Sequence, residues 1–344
     1  MTENSYDVVG IGNAIVDVLA HADDSFLSRH KMAKGAMTLI EAPVAEALYA
    51  SMGPAIECSG GSVANSMAGI ASLGGRAAYI GKVADDQLGS VFAHDIRATG
   101  VTFAASPIVG GPPTARCLVL VTPDGQRTMH TYLGAATHIG PEDIDAALIK
   151  RSKIVYMEGY LWDPPRAKEA IRRAATLARE AKRLVAFTLS DPFCVDRHRA
   201  EFMTLAEKYV DVLFANEAEI ISLYQAPDFA AAVEQARRRP GLSVLTRSEK
   251  GSLVVAGSST HEIAAEKVGQ VVDSTGAGDL YAAGFLYGLT QGYDLPVCGR
   301  IGSIAAAEAI SHLGARPEAP LATLIERKLG RLAPGANANK AVRN

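Results

Sequence analysis

Asp279 closes the run Asp273-Ser274-Thr275-Gly276-Ala277-Gly278-Asp279, which follows the apolar Val271-Val272 and leads into a stretch of small and apolar residues. Two glycines at a strand-to-helix turn remove side chains there and predict free N–H groups at Gly276, Ala277 and Gly278. Unpaired donors at the positive end of a helix dipole form an anion site suited to phosphate. Asp279 then projects from the first helical turn, where a carboxylate would repel a phosphate that was merely bound. It makes sense as a general base that takes a proton from a hydroxyl attacking phosphorus. A plain acidic helix cap would explain Asp279 alone, but not the whole seven-residue run.

The surrounding pattern supplies the elements that hold such a turn. Short β-branched or apolar runs at 8–11, 154–156, 184–187 and 210–214 read as buried strands. Between them lie segments of helical spacing, as over 166–183, where Ala167, Ala170, Ile171, Ala174, Ala175 and Ala178 share one face. Strands separated by amphipathic helices need crossovers, so the sheet is expected to be largely parallel and covered on both faces. Residues 14–41 and about 107–135 break this rhythm. They read as strands and turns, with 114–122 and 127–133 forming a hairpin across Pro123-Asp124-Gly125. Two such insertions are expected to pair into a small sheet that closes over a site and keeps water out. The main body is then 1–332, with lid insertions at 14–41 and 107–135, and 333–344 reads as a disordered tail.

Composition narrows the function classes. The 344 residues carry a formal net charge of −3, with 48% hydrophobic and 21% charged residues, which fits a globular chain and excludes an overall basic nucleic-acid footprint. The four cysteines, Cys58, Cys117, Cys194 and Cys298, are far apart, so neither a disulfide scaffold nor a zinc cluster is indicated. The N-terminus lacks a basic start and apolar stretch, and no apolar segment reaches the roughly 18 residues of a spanning helix. A cytoplasmic, soluble, globular protein, with neither nucleic acid nor membrane as partner, is expected.

Three familiar motifs nearly match and fail. Gly10-Ile11-Gly12-Asn13-Ala14-Ile15 has Ile15 where a dinucleotide fingerprint needs its third glycine. Gly81-Lys82 lacks the first glycine and the Ser or Thr of a Walker loop, having Arg76 and Val83 instead. Gly60-Gly61-Ser62-Val63-Ala64 has no final glycine for a nucleophile elbow.

The run 273–279 resembles the C-terminal signature of the ribokinase-like, or PfkB, carbohydrate kinase family, and the resemblance extends over about 6–328. Gly12-Asn13 with Asp17, the glycine-rich 60–66 segment, Asn216-Glu217-Ala218-Glu219 and the turn 246–251 follow in the family's order. The resemblance implies a three-layer α/β sandwich with a mostly parallel central sheet covered by helices, plus a small β-sheet lid. It implies a kinase that uses ATP and Mg2+ and phosphorylates a sugar or nucleoside. Asp279 would be the base and the amides of 276–278 the anion site. Asn13, Asp17, Gly60, Gly61 and Asn65 would bind the acceptor, with Asp17 taking hydrogen bonds from vicinal hydroxyls and the glycines letting backbone approach the sugar. Asn216, Thr246, Arg247, Gly251, Arg127 and Ser303 would line the nucleotide site; for Arg127 a solvated side chain, and for Ser303 helix packing, stay open. Glu219 and Asn216 would face Mg2+ through water, and carbonyls near Asp273 and Thr275 would hold a monovalent cation such as K+.

Within the family, Pro113-Thr114 with Cys117 and Leu189-Ser190-Asp191-Pro192-Phe193 are similar to the adenosine kinase subfamily. Met37 departs from animal members, which carry a polar residue near the base. The resemblance implies the 5′-hydroxyl of a ribonucleoside as acceptor, adenosine foremost. A ribokinase, fructokinase or 2-keto-3-deoxygluconate kinase remains the alternative, and beyond it a non-catalytic nucleoside sensor. Family precedent allows either a monomer or a homodimer.

Overall fold

The computed structural model describes residues 6–333, so all but the first residue of the expected tail 333–344 lies outside the described residues. In chain order the strands begin with β1 (Tyr6–Ile11), β2 (Ile15–His21), β3 (Met37–Leu39), β4 (Ala55–Gly60), β5 (Ala77–Ile80), β6 (Thr102–Phe103) and β7 (Ala115–Val121). They continue with β8 (Arg127–Tyr132), β9 (Ser152–Glu158), β10 (Leu184–Thr188), β11 (Val212–Asn216), β12 (Leu242–Thr246), β13 (Ser252–Ala256) and β14 (Ser259–Ile263). Nine form one sheet in the order β14-β13-β12-β11-β10-β9-β1-β5-β6. From β12 to β6 all neighbours are parallel, whereas β13 and β14 add to the edge as antiparallel strands.

Period-two alternation splits the buried side chains of this sheet into two cores. Val8, Tyr156, Ala186 and Val212 face one layer, shared with the helices Ser62–Ser72, Ala277–Thr290 and Leu295–Ala309. Val9, Ile11, Val155, Met157 and Phe187 face the other, shared with the helices Pro165–Glu180 and Pro192–Lys208. The alanine stripe from Ala167 to Ala178 is fully buried there, and Pro165 begins its helix at a position where a missing N–H costs nothing. The result is the ribokinase-like three-layer α/β sandwich.

The remaining five strands form a second sheet, β3-β8-β7-β2-β4, built around the expected hairpin β7–β8. It draws on more chain than 14–41 and 107–135. β4 pairs antiparallel with β2, and β4 lies beyond residue 41. The reason is legible only in space: β4 reads as a weak, half-polar strand, yet it supplies the edge next to Asp17. No helix among the described residues is long and apolar enough to cross a membrane.

Candidate active site

Parallel strands end on the same edge of a sheet, and the loops after their carboxyl ends gather polar groups there. β1 delivers Asn13, β9 ends in Glu158, β11 in Asn216 and β12 in Thr246. The turn 273–278 and the helix Ala277–Thr290 meet this edge from one side, and the second sheet meets it from the other.

Gly276 is the N-cap of that helix at φ 77°, and a Cβ there would sit 2.6 Å from the Ala315 Cβ, so glycine is required twice over. At Gly278 a Cβ would meet nothing within 4 Å, so its lack of a side chain leaves open space at the helix start. Of the three amides expected to be free, Ala277 N–H donates to the Ser274 carbonyl at 3.3 Å. The N–H groups of Gly276 and Gly278 have no backbone acceptor among the described residues, so the anion site rests on these two.

Asp279 is half-buried, and both of its carboxylate oxygens are engaged. Ser62 Oγ donates to Oδ1 at 2.6 Å and Asn65 Nδ2 to Oδ2 at 3.0 Å, while Ser66 Oγ holds its carbonyl at 2.9 Å. Burial raises its pKa; these hydrogen bonds, and the charge of Arg316, oppose the rise. All three donors come from the first turn or so of Ser62–Ser72. That helix follows directly from β4 through Gly61 at φ 96°.

Asp17 lies on β2, and its carboxylate has no hydrogen-bonded partner among the described residues. Burial raises its pKa to about 6, opposed by Arg316 and Arg127 and reinforced by the neighbouring negative charge of Asp279. A Cβ on Gly60 would collide with the Asp17 carboxylate, and one on Gly61 with the Asn13 carbonyl. Gly60 and Gly61 thus make room for protein groups, a different reason from the backbone approach to a sugar that the motif suggested.

Asn13 is held by a residue that the sequence reading missed. Glu158 Oε1 accepts from both the backbone N–H and the side-chain Nδ2 of Asn13 at 2.8 Å, and Oε2 accepts from Val63 N–H at 3.1 Å. Burial raises the Glu158 pKa to about 7. Asn13 keeps its carbonyl oxygen and a second Nδ2–H for a ligand, and Asn65, with one Nδ2–H on Asp279, has its Oδ1 buried without a partner among the described residues. Glu158 and Arg316 stand in no recognisable motif, and only their buried hydrogen bonds mark them.

Arg127 is neither solvated nor free to reach outward. Its guanidinium pairs with Asp273 at 2.8 Å and bonds Thr275 Oγ1, with its side chain 10% exposed. Asp273 also accepts from Thr275 N–H at 2.9 Å and Gly314 N–H at 2.8 Å. Its carboxylate thus ties the turn to β8 and to the loop at Gly314. Ser303 corrects toward packing: buried, it donates to the Ala264 carbonyl at 3.0 Å and accepts from Glu266 N–H at 2.8 Å, which pins the segment after β14.

Asn216 and Glu219 form a reciprocal cap, with Asn216 Nδ2 on Glu219 Oε1 at 2.6 Å, Asn216 N–H on Oε2 at 3.0 Å and Glu219 N–H on Asn216 Oδ1 at 2.8 Å. Burial and the charge of Asp191 push Glu219 up to about 7. Arg247 lies over the Phe229 ring at 4.2 Å and bonds Glu217 at 3.2 Å, and Gly251 at φ 83° closes the turn after Thr246 with its carbonyl on Arg247 N–H at 2.7 Å. No group of three metal-ligating side chains occurs among the described residues. The structure therefore brings together Asp279, Asn13, Asp17, Asn65 and the Gly276 and Gly278 amides, while Arg127 and Asp273 brace the turn and Ser303 packs against the segment after β14.

The face of the second sheet that carries Asp17 is apolar. Register places Met37, Met129, Val119, Leu19 and Ile56 in one row across all five strands, beside the row of Leu39, Thr131, Cys117, Asp17 and Cys58. Met37, Leu39 and Ile56 are 47%, 54% and 69% exposed.

A family model described as pfkB family carbohydrate kinase matches residues 57–322. The crystal structure of adenosine kinase from Sinorhizobium meliloti is 54% identical, covers 94% of this chain and 99% of its own, and superposes with a TM-score of 0.88. That of a probable sugar kinase protein from Rhizobium etli is 48% identical over 94% of this chain and 98% of its own, with a TM-score of 0.89. Adenosine kinase of Saccharomyces cerevisiae is 25% identical over 330 residues, 89% of this chain and 95% of that protein. Fold, motifs and relatives agree: the chain is a kinase that belongs to the pfkB family of carbohydrate kinases.

Proposed function

We propose that the protein transfers the γ-phosphoryl group of ATP, carried with Mg2+, to the 5′-hydroxyl of a ribonucleoside, adenosine foremost. The observation that carries the choice of acceptor is the exposed apolar row beside Asp17. A free sugar presents hydroxyls on every side and would leave Met37, Leu39 and Ile56 wet. A nucleoside places its ribose against Asp17, Asn13 and Asn65 and lays a flat, largely apolar base along the row.

Asp17 accepts hydrogen bonds from two vicinal ribose hydroxyls, and the side-chain amides of Asn13 and Asn65 hydrogen-bond to the same ring. Asp279 takes the proton of the 5′-hydroxyl as its oxygen bonds to the γ-phosphorus. The bond to the bridging oxygen breaks and ADP leaves with the electron pair. The Gly276 and Gly278 amides meet charge on the transferring group, in the space that Gly278 leaves open. Mg2+ would arrive on the phosphates of ATP and keep several waters, and Glu219 and Asn216 would face it through water, supplying charge neutralisation for the transfer. The Asp273 carboxylate is turned to Arg127 and to the Thr275 and Gly314 amides, so a K+ ion beside the turn would rest on backbone carbonyls.

A coupled ADP-release screen over nucleosides and sugars tests this. Turnover with adenosine and none with ribose, fructose or 2-keto-3-deoxygluconate is the expected result. Preferred turnover of a free sugar overturns it, as does adenosine binding with no ADP release.

A further inference from the structure

Arg316 lies outside every motif read from the sequence, in the loop after the helix Leu295–Ala309. Its guanidinium spans the junction where β4 becomes the helix Ser62–Ser72. Nε donates to the Ser59 carbonyl at 2.9 Å, Nη1 to the Ala64 carbonyl at 3.0 Å, and Nη2 to the Ser59 carbonyl and hydroxyl at 2.6 and 2.9 Å. Each of these acceptors is next in sequence to a partner of an active-site carboxylate. Ser59 precedes Gly60, which abuts Asp17, and follows Cys58, the register partner of Asp17. Ala64 precedes Asn65, which donates to Asp279.

All four of these hydrogen bonds go to neutral oxygens and none to a carboxylate, so among the described residues no bonded partner cancels its charge. Asp95 accepts from Ser59 N–H and Oγ at 2.7 and 2.5 Å and stays off the guanidinium. We propose that Arg316 is a positioning residue for phosphoryl transfer. It fixes the junction that aims Asn65 at Asp279 and seats Gly60 against Asp17, and it brings an uncancelled positive charge to the side of the site where these two carboxylates lie.

The electrostatics agree: Arg316 is the largest opposing influence on the raised pKa of Asp17 and also lowers that of Asp279. The titratable and charged groups around it are Asp17 on β2, Cys58 on β4, Tyr79 on β5 and Asp95 on the helix Gln87–Ala98. Asp279 faces it from Ala277–Thr290, with Arg127 on β8 acting on Asp17 and Glu158 on β9 lying near Asp279.

The role rests on the phosphotransfer reading, but its test does not need turnover. Ligand-free protein carrying 13C in its aspartate carboxyls is titrated by NMR, with the two resonances assigned through Asp17→Asn and Asp279→Asn. In Arg316→Gln both resonances should move to higher pH, by roughly one unit for a lost charge at close range. Arg316→Lys keeps a charge but cannot bridge Ser59 and Ala64 together, so it should show a smaller shift in the same direction and serves if the glutamine variant does not fold. Titrations that superpose on those of the unmodified protein, whatever happens to the thermal midpoint, overturn the proposal. Failure to phosphorylate any acceptor would sink the functional reading and leave this shift standing.

Discussion

Arg127, near the tip of the β7–β8 hairpin, meets Asp273 at the start of the phosphate turn at 2.8 Å, with the aspartate side chain 1% exposed. This one pair ties the second sheet to the turn from which the anion site and Asp279 follow. A buried pair broken on one side leaves an uncompensated charge, at a cost of about 3 kcal/mol. Arg127→Ala should therefore lower unfolding stability in denaturant by about that amount and reduce kcat/KM for both substrates. Stability within experimental error of the unmodified protein would show that the two amides on Asp273 suffice.

Asp279→Asn keeps the size of the side chain and one hydrogen-bond acceptor but cannot take a proton. Turnover should drop by roughly 10²–10⁴-fold, with the melting temperature little changed. Near-normal turnover in a folded variant would remove Asp279 from the base role.

Asp17 has to be ionised to accept from two hydroxyls, and its pKa lies near 6. Protonation converts one acceptor into a donor, so kcat/KM for the acceptor should fall as pH drops through about 6, a limb well above ordinary carboxylates. Asp279, also raised, adds to that limb in kcat. Asp17→Asn should raise the acceptor KM and abolish the limb in kcat/KM that belongs to Asp17. A flat profile down to pH 4.5 would contradict both pKa directions.

Gly276 and Gly278 separate folding from binding. Gly276→Ala meets Ala315 and a left-handed φ and should destabilise the fold by about 1–3 kcal/mol. Gly278→Ala meets no protein atom. It should leave the melting temperature intact while raising KM for ATP, as measured by steady-state kinetics. Equal effects of the two on stability would contradict the open space at Gly278.

Met37→Glu and Ile56→Glu place a charge on exposed ends of the apolar row without touching the core. Each should raise the adenosine KM several-fold and leave the ATP KM unchanged. An unaltered adenosine KM in both variants would separate the row from the acceptor.

Much of this was written in local sequence. The alternation of short apolar runs with alanine-faced helices required a parallel, doubly covered sheet, because no other arrangement buries both faces of such strands. The glycines around Asp279 announced a turn with bare amides, since backbone conformation at φ 77° is a local property. The Pro123-Asp124-Gly125 hairpin was likewise visible, as turn chemistry acts over a few residues.

Long-range pairing decided the rest. That Arg127 braces Asp273, that Glu158 orients Asn13 and that Arg316 spans Ser59 and Ala64 all depend on contacts between residues from 145 to 257 positions apart in the chain. A buried charge or carboxylate takes its meaning from which distant donors reach it, and no spacing rule encodes them. The same holds for the apolar row beside Asp17, which exists only because five strands share one register.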